Sequence, residues 1–353
     1  MRRTLVYFAL TIVTSLVGAQ NSEPGFIKVG DGGTTSVAMS PNGKYAVGQG
    51  VGIGDAPMYK SYLWDAENGQ LTWMTELDEN DFDKSGHFAD VNDEKTIVGN
   101  FKDENYILWY IDMDEQFSGP ICVAAVWKDG KRTSVGIGDF TMDDFNSFAD
   151  GSFAMAVSAD SKTVVGYINQ GNSTTFTPCG WVYNESTQAW DYQRYALPEG
   201  SQGGQIGSVS ADGKLAVGYA AYHLRAMPVI WTSPTECLQI ELTEEDASYE
   251  DEFGFNYGYK ISPNGQYVLF TLNNMIPCIY SMKDRKYVKL DGYPDATGLS
   301  VNTISDQGDV VGAFGYCNYC SGTYTRPFWF SYKDNKCTDF EYLIQTYAQG
   351  VNI

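Results

Sequence analysis

One phrase recurs six times along this chain: SPNGKYAVG (40–48), NDEKTIVG (92–99), SADSKTVVG (158–166), SADGKLAVG (210–218), SPNGQYVLF (262–270) and SDQGDVVG (305–312). Each copy holds a small or polar residue, a turn built on Asn, Asp or Gly, and an apolar strand usually closed by Gly, the pattern of a tight β-hairpin. Downstream of each copy a further strand carries an aromatic at a matching place: Trp64, Trp127, Trp181, Trp231, Tyr280 and Trp329, spaced 63, 54, 50, 49 and 49 residues apart. A short polar turn and one more strand follow. Each unit therefore reads strand, tight turn, strand, connection, strand, tight turn, strand. Such a unit cannot bury both faces alone, so neighbours must stack about a shared axis. The fold class is all-β, a β-propeller of six recognisable four-stranded blades. Residues 26–29 read as a strand ahead of the first repeat that would complete the last blade, and residues 340–350 read as a short helix ended by Gly350. A seven-bladed ring with an incomplete or composite last blade is thus the alternative.

The domain reading is a signal peptide over 1–19, the propeller over 20–340 and a short helix or tail over 341–353. Arg2 and Arg3 precede an apolar stretch from Leu5 to Val17, and Gly18 and Ala19 supply a small-residue exit. That stretch is short for a membrane span and fits a secretory leader. The first cysteine is Cys122, so no lipid-attachment cysteine follows the cleavage point. The expectation is an exported protein, secreted, periplasmic or at the cell surface, without membrane insertion. A net charge of −21 disfavours nucleic acid and anionic lipid as partners. Cations and neutral polar ligands such as glycans fit it better.

Seven cysteines cannot all pair within one chain. Cys179 and Cys278 stand at the same place in the third strand of their units, beside aromatics, and read as buried thiols. A loop disulfide involving Cys317 or Cys320, with Cys337 as a partner, fits these residues better than a zinc site. Zinc takes about four ligands, and the two histidines, His87 and His223, fall in other units.

The phrase S-x-D-G-K-x-x-V-G followed by an x-x-x-W strand resembles the exported bacterial β-propellers built from HAF-type repeats, Bacteroidetes members among them. More loosely it is similar to TolB-type WD40-like repeats with their S-P-D-G-K phrase. The resemblance spans residues 35–340; it implies fold and export, and brings no catalytic residues with it. A sialidase-type Asp-box would place Trp just after the turn Gly, where this chain has Val-Gly or Val-Leu.

In a four-stranded blade the first and third turns lie at one end, the second turn and the inter-blade connection at the other. Here the first and third turns are uniformly short. Length varies in the second turns, read as loops over 100–121, 168–177, 220–226 and 315–325, and in the connections 76–86, 138–151 and 243–257. Function concentrates in variable loops on a rigid scaffold. The candidate ligand-binding residues there are Trp109, Tyr110, Asp143, Asp144, Tyr222, His223, Arg225 and Tyr257. Rings cover the C–H faces of sugars and carboxylates accept their hydroxyls, so a glycan or an extracellular protein is the expected partner.

Asp81, Asp83 and Ser85, with Gly86 at the bend, have the alternating oxygens of a calcium loop. The twelfth position is Asn92 instead of Glu, and Asn92 already belongs to the repeat phrase. Calcium is the one cofactor this sequence offers a place for. No G-x-S-x-G or phosphate-cradling glycine loop is present. A polysaccharide hydrolase or lyase built on Asp143 and Asp144, or on His223 beside Arg225, is the alternative to a non-enzymatic binding protein.

Overall fold

The computed structural model describes residues 34–51, 59–73, 87–112, 115–171, 176–223, 225–247, 258–272, 276–290, 298–318 and 322–339. Unit 1 holds β1 (Thr34–Met39), β2 (Tyr45–Val51), β3 (Tyr59–Asp65) and β4 (Gln70–Trp73). Unit 2 holds β5 (His87–Val91), β6 (Ile97–Asp112), β7 (Glu115–Lys128) and β8 (Lys131–Gly136). Unit 3 holds β9 (Gly151–Val157), β10 (Thr163–Asn169), β11 (Thr177–Asn184) and β12 (Ala189–Arg194). Unit 4 holds β13 (Gly203–Val209), β14 (Ala216–Tyr222), β15 (Arg225–Ser233) and β16 (Glu236–Gln239). Unit 5 holds β17 (Gly258–Ile261), β18 (Tyr267–Leu272), β19 (Ile276–Ser281) and β20 (Lys286–Lys289). Unit 6 holds β21 (Gly298–Ile304), β22 (Val310–Asn318), β23 (Gly322–Ser331) and β24 (Lys336–Asp339).

Within every unit the strands pair antiparallel in sequence order. Units 2 and 3 also share one sheet through a parallel contact between Cys122 and Gly151. The first strand of each later unit packs against the first three strands of the unit before it. The core accordingly lies between neighbouring sheets. Trp231 and Val229 of unit 4 meet Ala156 and Val165 of unit 3, and Phe328 and Phe330 of unit 6 meet Leu269 and Ile279 of unit 5. This radial stacking of twisted sheets, each too small to stand alone, makes the chain a β-propeller. The segments on which ring closure and the leader were read, 26–29, 1–19 and 341–353, lie outside the described residues.

The repeat phrase acquires a physical meaning in the first turn. Ser40, Ser158, Ser210 and Ser262 each donate to the Asn or Asp two residues on, at 2.9, 2.6, 2.7 and 2.8 Å. The same serine oxygens accept the backbone N–H that starts the second strand, at Tyr45, Thr163, Leu215 and Tyr267. The fourth residue of the turn has positive φ in all six units: Gly43, Lys95, Ser161, Gly213, Gly265 and Gly308.

The glycine that closes the phrase answers a close approach of backbone. Every first strand has a register shift that leaves one residue unpaired: Val37, Ala89, Met155, Gly207, Tyr259 and Asn302. Such a bulge bends the strand toward its neighbour. A Cβ on Gly99, Gly166 or Gly218 would stand 1.9, 1.8 and 1.8 Å from the carbonyl oxygens of His87, Phe153 and Gln205. Unit 5 inverts the pair: the phrase ends in Phe270, and Gly258 stands opposite on β17.

Cys179 and Cys278 are buried free thiols, as the sequence implies. Cys337 is also a free thiol. It pairs with Phe330 on β23, while Cys317 pairs with Thr323, seven residues back along the same strand. At about 3.3 Å per residue that separates them by roughly 23 Å, far beyond the reach of a disulfide. Cys320 lies outside the described residues.

Candidate ligand-binding end

Strand order alone sends the second turns and the inter-unit connections to one end of the body. Three of the four second turns expected as loops are instead hairpins that continue the ladder. β6 and β7 stay paired from Ile97 with Trp127 to Asp112 with Glu115. β14 and β15 pair up to Tyr222 with Arg225, and β22 and β23 up to Asn318 with Gly322. The cause lies in composition: Tyr106 to Ile111 is a run of β-branched and aromatic residues with Leu108 among them, and such residues favour a pleated strand over a loop. A bulge at 103–106 interrupts β6. Asp103, buried, closes it by accepting the backbone N–H and side-chain amide of Asn105 at 3.0 and 2.8 Å.

The β6–β7 hairpin is braced from one side. Leu108 is buried, and a Cβ on Gly119, which pairs with Leu108, would lie 3.3 Å from the Phe148 ring. The Lys102 amine donates to the Phe148 carbonyl. Trp109 faces the other way and is 63% exposed. Tyr110 follows in the ladder, opposite Phe117.

Asp143 and Asp144 sit in a 3-10 turn (Met142–Asp144) that lies against β6. They do not form a pair of free acids. The Asp144 carboxylate accepts the backbone N–H and the hydroxyl of Thr141 at 2.8 and 3.0 Å, capping the turn. Asp143 is exposed. Phe145 is buried and pins this connection to the core. Asp150, also buried, accepts the N–H groups of Asn146 and Ser147 at 2.8 and 2.9 Å.

Tyr222, His223 and Arg225 meet at the tip of the unit 4 hairpin. The Tyr222 hydroxyl donates to Gln239 at 2.7 Å, and burial pushes its pKa up. The Arg225 guanidinium lies 5.6 Å from the Tyr222 ring centre. His223 and Arg225 are exposed. Tyr257, and the calcium-loop residues Asp81, Asp83 and Ser85, lie outside the described residues. Among the described residues no group of His, Cys, Asp and Glu is arranged to hold a metal.

Sequence reading missed the polar partners of Trp109. Ser118 stands directly opposite it on β7, and Gln116 follows on the same face; both are exposed. The uninterrupted apolar run from Tyr106 to Ile111 concealed the period-2 alternation that would have placed them.

No protein-family model and no curated protein matches the sequence. Solved structures do resemble the fold. Prolyl oligopeptidase B from Galerina marginata aligns with a TM-score of 0.52 at 12% identity, over 87% of this chain and 42% of that one. TolB from Acinetobacter baumannii aligns at 0.43 and 12% identity, over 84% of this chain and 69% of that one. A puromycin hydrolase aligns at 0.47 and 10% identity, over 88% of this chain and 54% of that one. The chain spans less than half the length of the prolyl oligopeptidase. At such identities the likeness concerns fold alone. Among the described residues no helix is long and apolar enough to cross a membrane.

Proposed function

We propose that this is an exported, non-enzymatic β-propeller that binds an extracellular glycan or protein through the end carrying its hairpins and connections. One contrast supports the reading above others: at the tight-turn end the first turns are bonded from each unit to the next, whereas the opposite end presents an indole ring, Trp109, together with His223 and Arg225 to solvent. The use of Asp144 as a turn cap, and of the Tyr222 hydroxyl in a bond to Gln239, favours binding over acid–base chemistry by these groups. The leader-like first nineteen residues carry the export part of the reading.

The test is a screen of the purified protein on an array of neutral and anionic glycans and on purified extracellular proteins such as mucin and fibronectin. Binding is expected to weaken with Arg225→Ala or Trp109→Ala and to survive Lys214→Ala in a tight turn. A blank screen, or equal losses from both ends, overturns the reading.

A further inference from the structure

We infer that the outward face of the β6–β7 hairpin is a stacking platform for a neutral glycan, with Trp109 as the ring and Ser118 and Gln116 as its hydrogen-bonding flank. This rests on the binding reading above and narrows it to one face and one ligand class.

Strand alternation splits the hairpin into two unlike faces. The inner face is spent on Leu108 and on the contact of Gly119 with Phe148. The outer face carries Trp109, 63% exposed, with half-buried Ile107 two residues before it at the foot of the hairpin. Its cross-strand neighbour is Ser118. Directly opposed Cβ atoms stand only about 5 Å apart, so a larger residue there would lie across the indole. Serine is too short to do so, and the flat of the ring stays open. Ser118 supplies a hydroxyl and Gln116, two residues along, a carboxamide, together able to donate and accept. A pyranose presents the complementary surface, an apolar C–H face rimmed by hydroxyls.

The surroundings separate this from a protein-docking patch. Protein interfaces centre on contiguous apolar area. Among the described residues the large exposed hydrophobics are Val37, Trp109, Phe117, Leu238 and Val288, spread over four units. Phe117 shares the hairpin but pairs with Tyr110, on the opposite face from Trp109. Charge selects among glycans: at −21 overall the chain repels uronate-bearing or sulfated chains and leaves neutral ones unopposed. The bracing of the inner face holds the ring in place before a ligand arrives, which lowers the ordering cost of binding.

The experiment is affinity electrophoresis of the full chain in gels containing β-glucan, mannan, xylan or galactan, with polygalacturonate as the anionic control, beside the protein panel described above. At least one neutral polysaccharide should retard the wild type and polygalacturonate should not. Trp109→Ala should weaken that retardation about tenfold, and Trp109→Phe should retain part of it. Ser118→Leu, which lays a branched side chain over the indole, should weaken it comparably without lowering the melting temperature. Retardation that survives both Trp109→Ala and Ser118→Leu removes the platform and leaves the binding reading intact. Binding to a purified protein with no glycan retardation does the same. Silence of the wild type toward glycans and proteins alike removes both.

Discussion

The two ends of the propeller solve the same joining problem differently. At the tight-turn end, successive turns are bonded to one another along the series. Asn42 N–H donates to Asp93 at 2.9 Å, the Asn92 amide to Ser158 carbonyl and Ser161 hydroxyl at 2.9 and 2.8 Å, and Ala159 N–H to Ala211 carbonyl at 2.9 Å. Ala211 N–H then donates to Pro263 carbonyl at 2.8 Å, and Asn264 N–H to Asp306 at 2.7 Å. The mode follows the second residue of the turn. Where it is Ala, its own N–H reaches the next turn. Where it is Pro41 or Pro263, with no N–H to give, the following Asn donates instead and the next unit supplies an Asp side chain to receive it. At the opposite end the fastening differs from connection to connection: Lys102 of unit 2 donates to Phe148, and Tyr287 and Lys289 of unit 5 donate to Asp246. A repeated joint frees the other end to vary, which is where an exposed Trp109 is tolerated.

The sharpest way to break this contrast is Asn92→Ala. Asn92 is buried; its amide bridges to unit 3, and its carbonyl oxygen accepts from Glu94 and Thr96 N–H at 3.1 and 2.9 Å. Removing it leaves the buried Thr96 N–H without its acceptor and takes a donor from the Ser158 carbonyl and the Ser161 hydroxyl, for an expected loss of about 3 kcal/mol in urea unfolding. Asn92→Ser, the residue most other units use, restores the acceptor within the turn but not the bridge, and should recover less than half. Full recovery by serine would show that the junction between units 2 and 3 does not depend on the amide.

Asn92 also shows how far the sequence could be read. Its place at the head of a repeat phrase is visible in the letters, and from that the turn, the two flanking strands and the stacking of units follow. That it is Asn where others have Ser becomes meaningful only when the next turn is seen within bonding distance. The bulge in each first strand leaves no mark on hydrophobic pattern, so the letters show that Gly closes the strand but not that Gly99, Gly166 and Gly218 admit a neighbouring carbonyl. At the other end, aromatic content singled out Trp109 correctly as a surface ring. Phe145, an aromatic in the neighbouring connection 138–151, is buried instead. A ring in a connection either holds the connection down or faces solvent, and only the packing distinguishes the two.

One connection at the variable end is fastened nearly as firmly as a tight turn, and Asp246 measures how firmly. It lies in a short helix, α1 (Glu244–Ala247), and is buried. It accepts from Thr243 at 3.0 Å and from Tyr287 and Lys289 of unit 5. Burial alone would raise its pKa, but the bonds from Lys289, Tyr287 and Thr243 outweigh that and hold it below the ordinary carboxylate value. The stabilisation is therefore fully present above the unfolded value of about 3.9 and lost as pH falls through the lower folded value. Asp246→Asn should cost about 2 kcal/mol at pH 7. The gap from wild type should shrink in urea melts at pH 3. A gap unchanged at pH 3 would mean that shape, not charge, holds this connection.

The smallest effect sets two copies of the same turn position against each other. Lys95 and Ser161 take the left-handed conformation, φ 62° in each, that four other units assign to glycine. A side chain there costs about 1 kcal/mol or slightly more, and glycine returns part of that through greater freedom in the unfolded chain. Lys95 is exposed, and its amine lies 5.6 Å from the Tyr45 ring, a weak contact in water. Lys95→Gly should therefore stabilise by about 0.5 kcal/mol. Ser161 occupies the same conformation for a reason: its hydroxyl meets Asn92, Thr96 and Glu94 at 2.8, 2.8 and 2.9 Å. Ser161→Gly relieves the same strain but leaves the Asn92 amide short of a partner, and should destabilise by about 1 kcal/mol. Opposite signs from one substitution at equivalent positions would separate backbone strain from the bond between units; equal signs would mean that the bridge from unit 2 to unit 3 contributes nothing measurable.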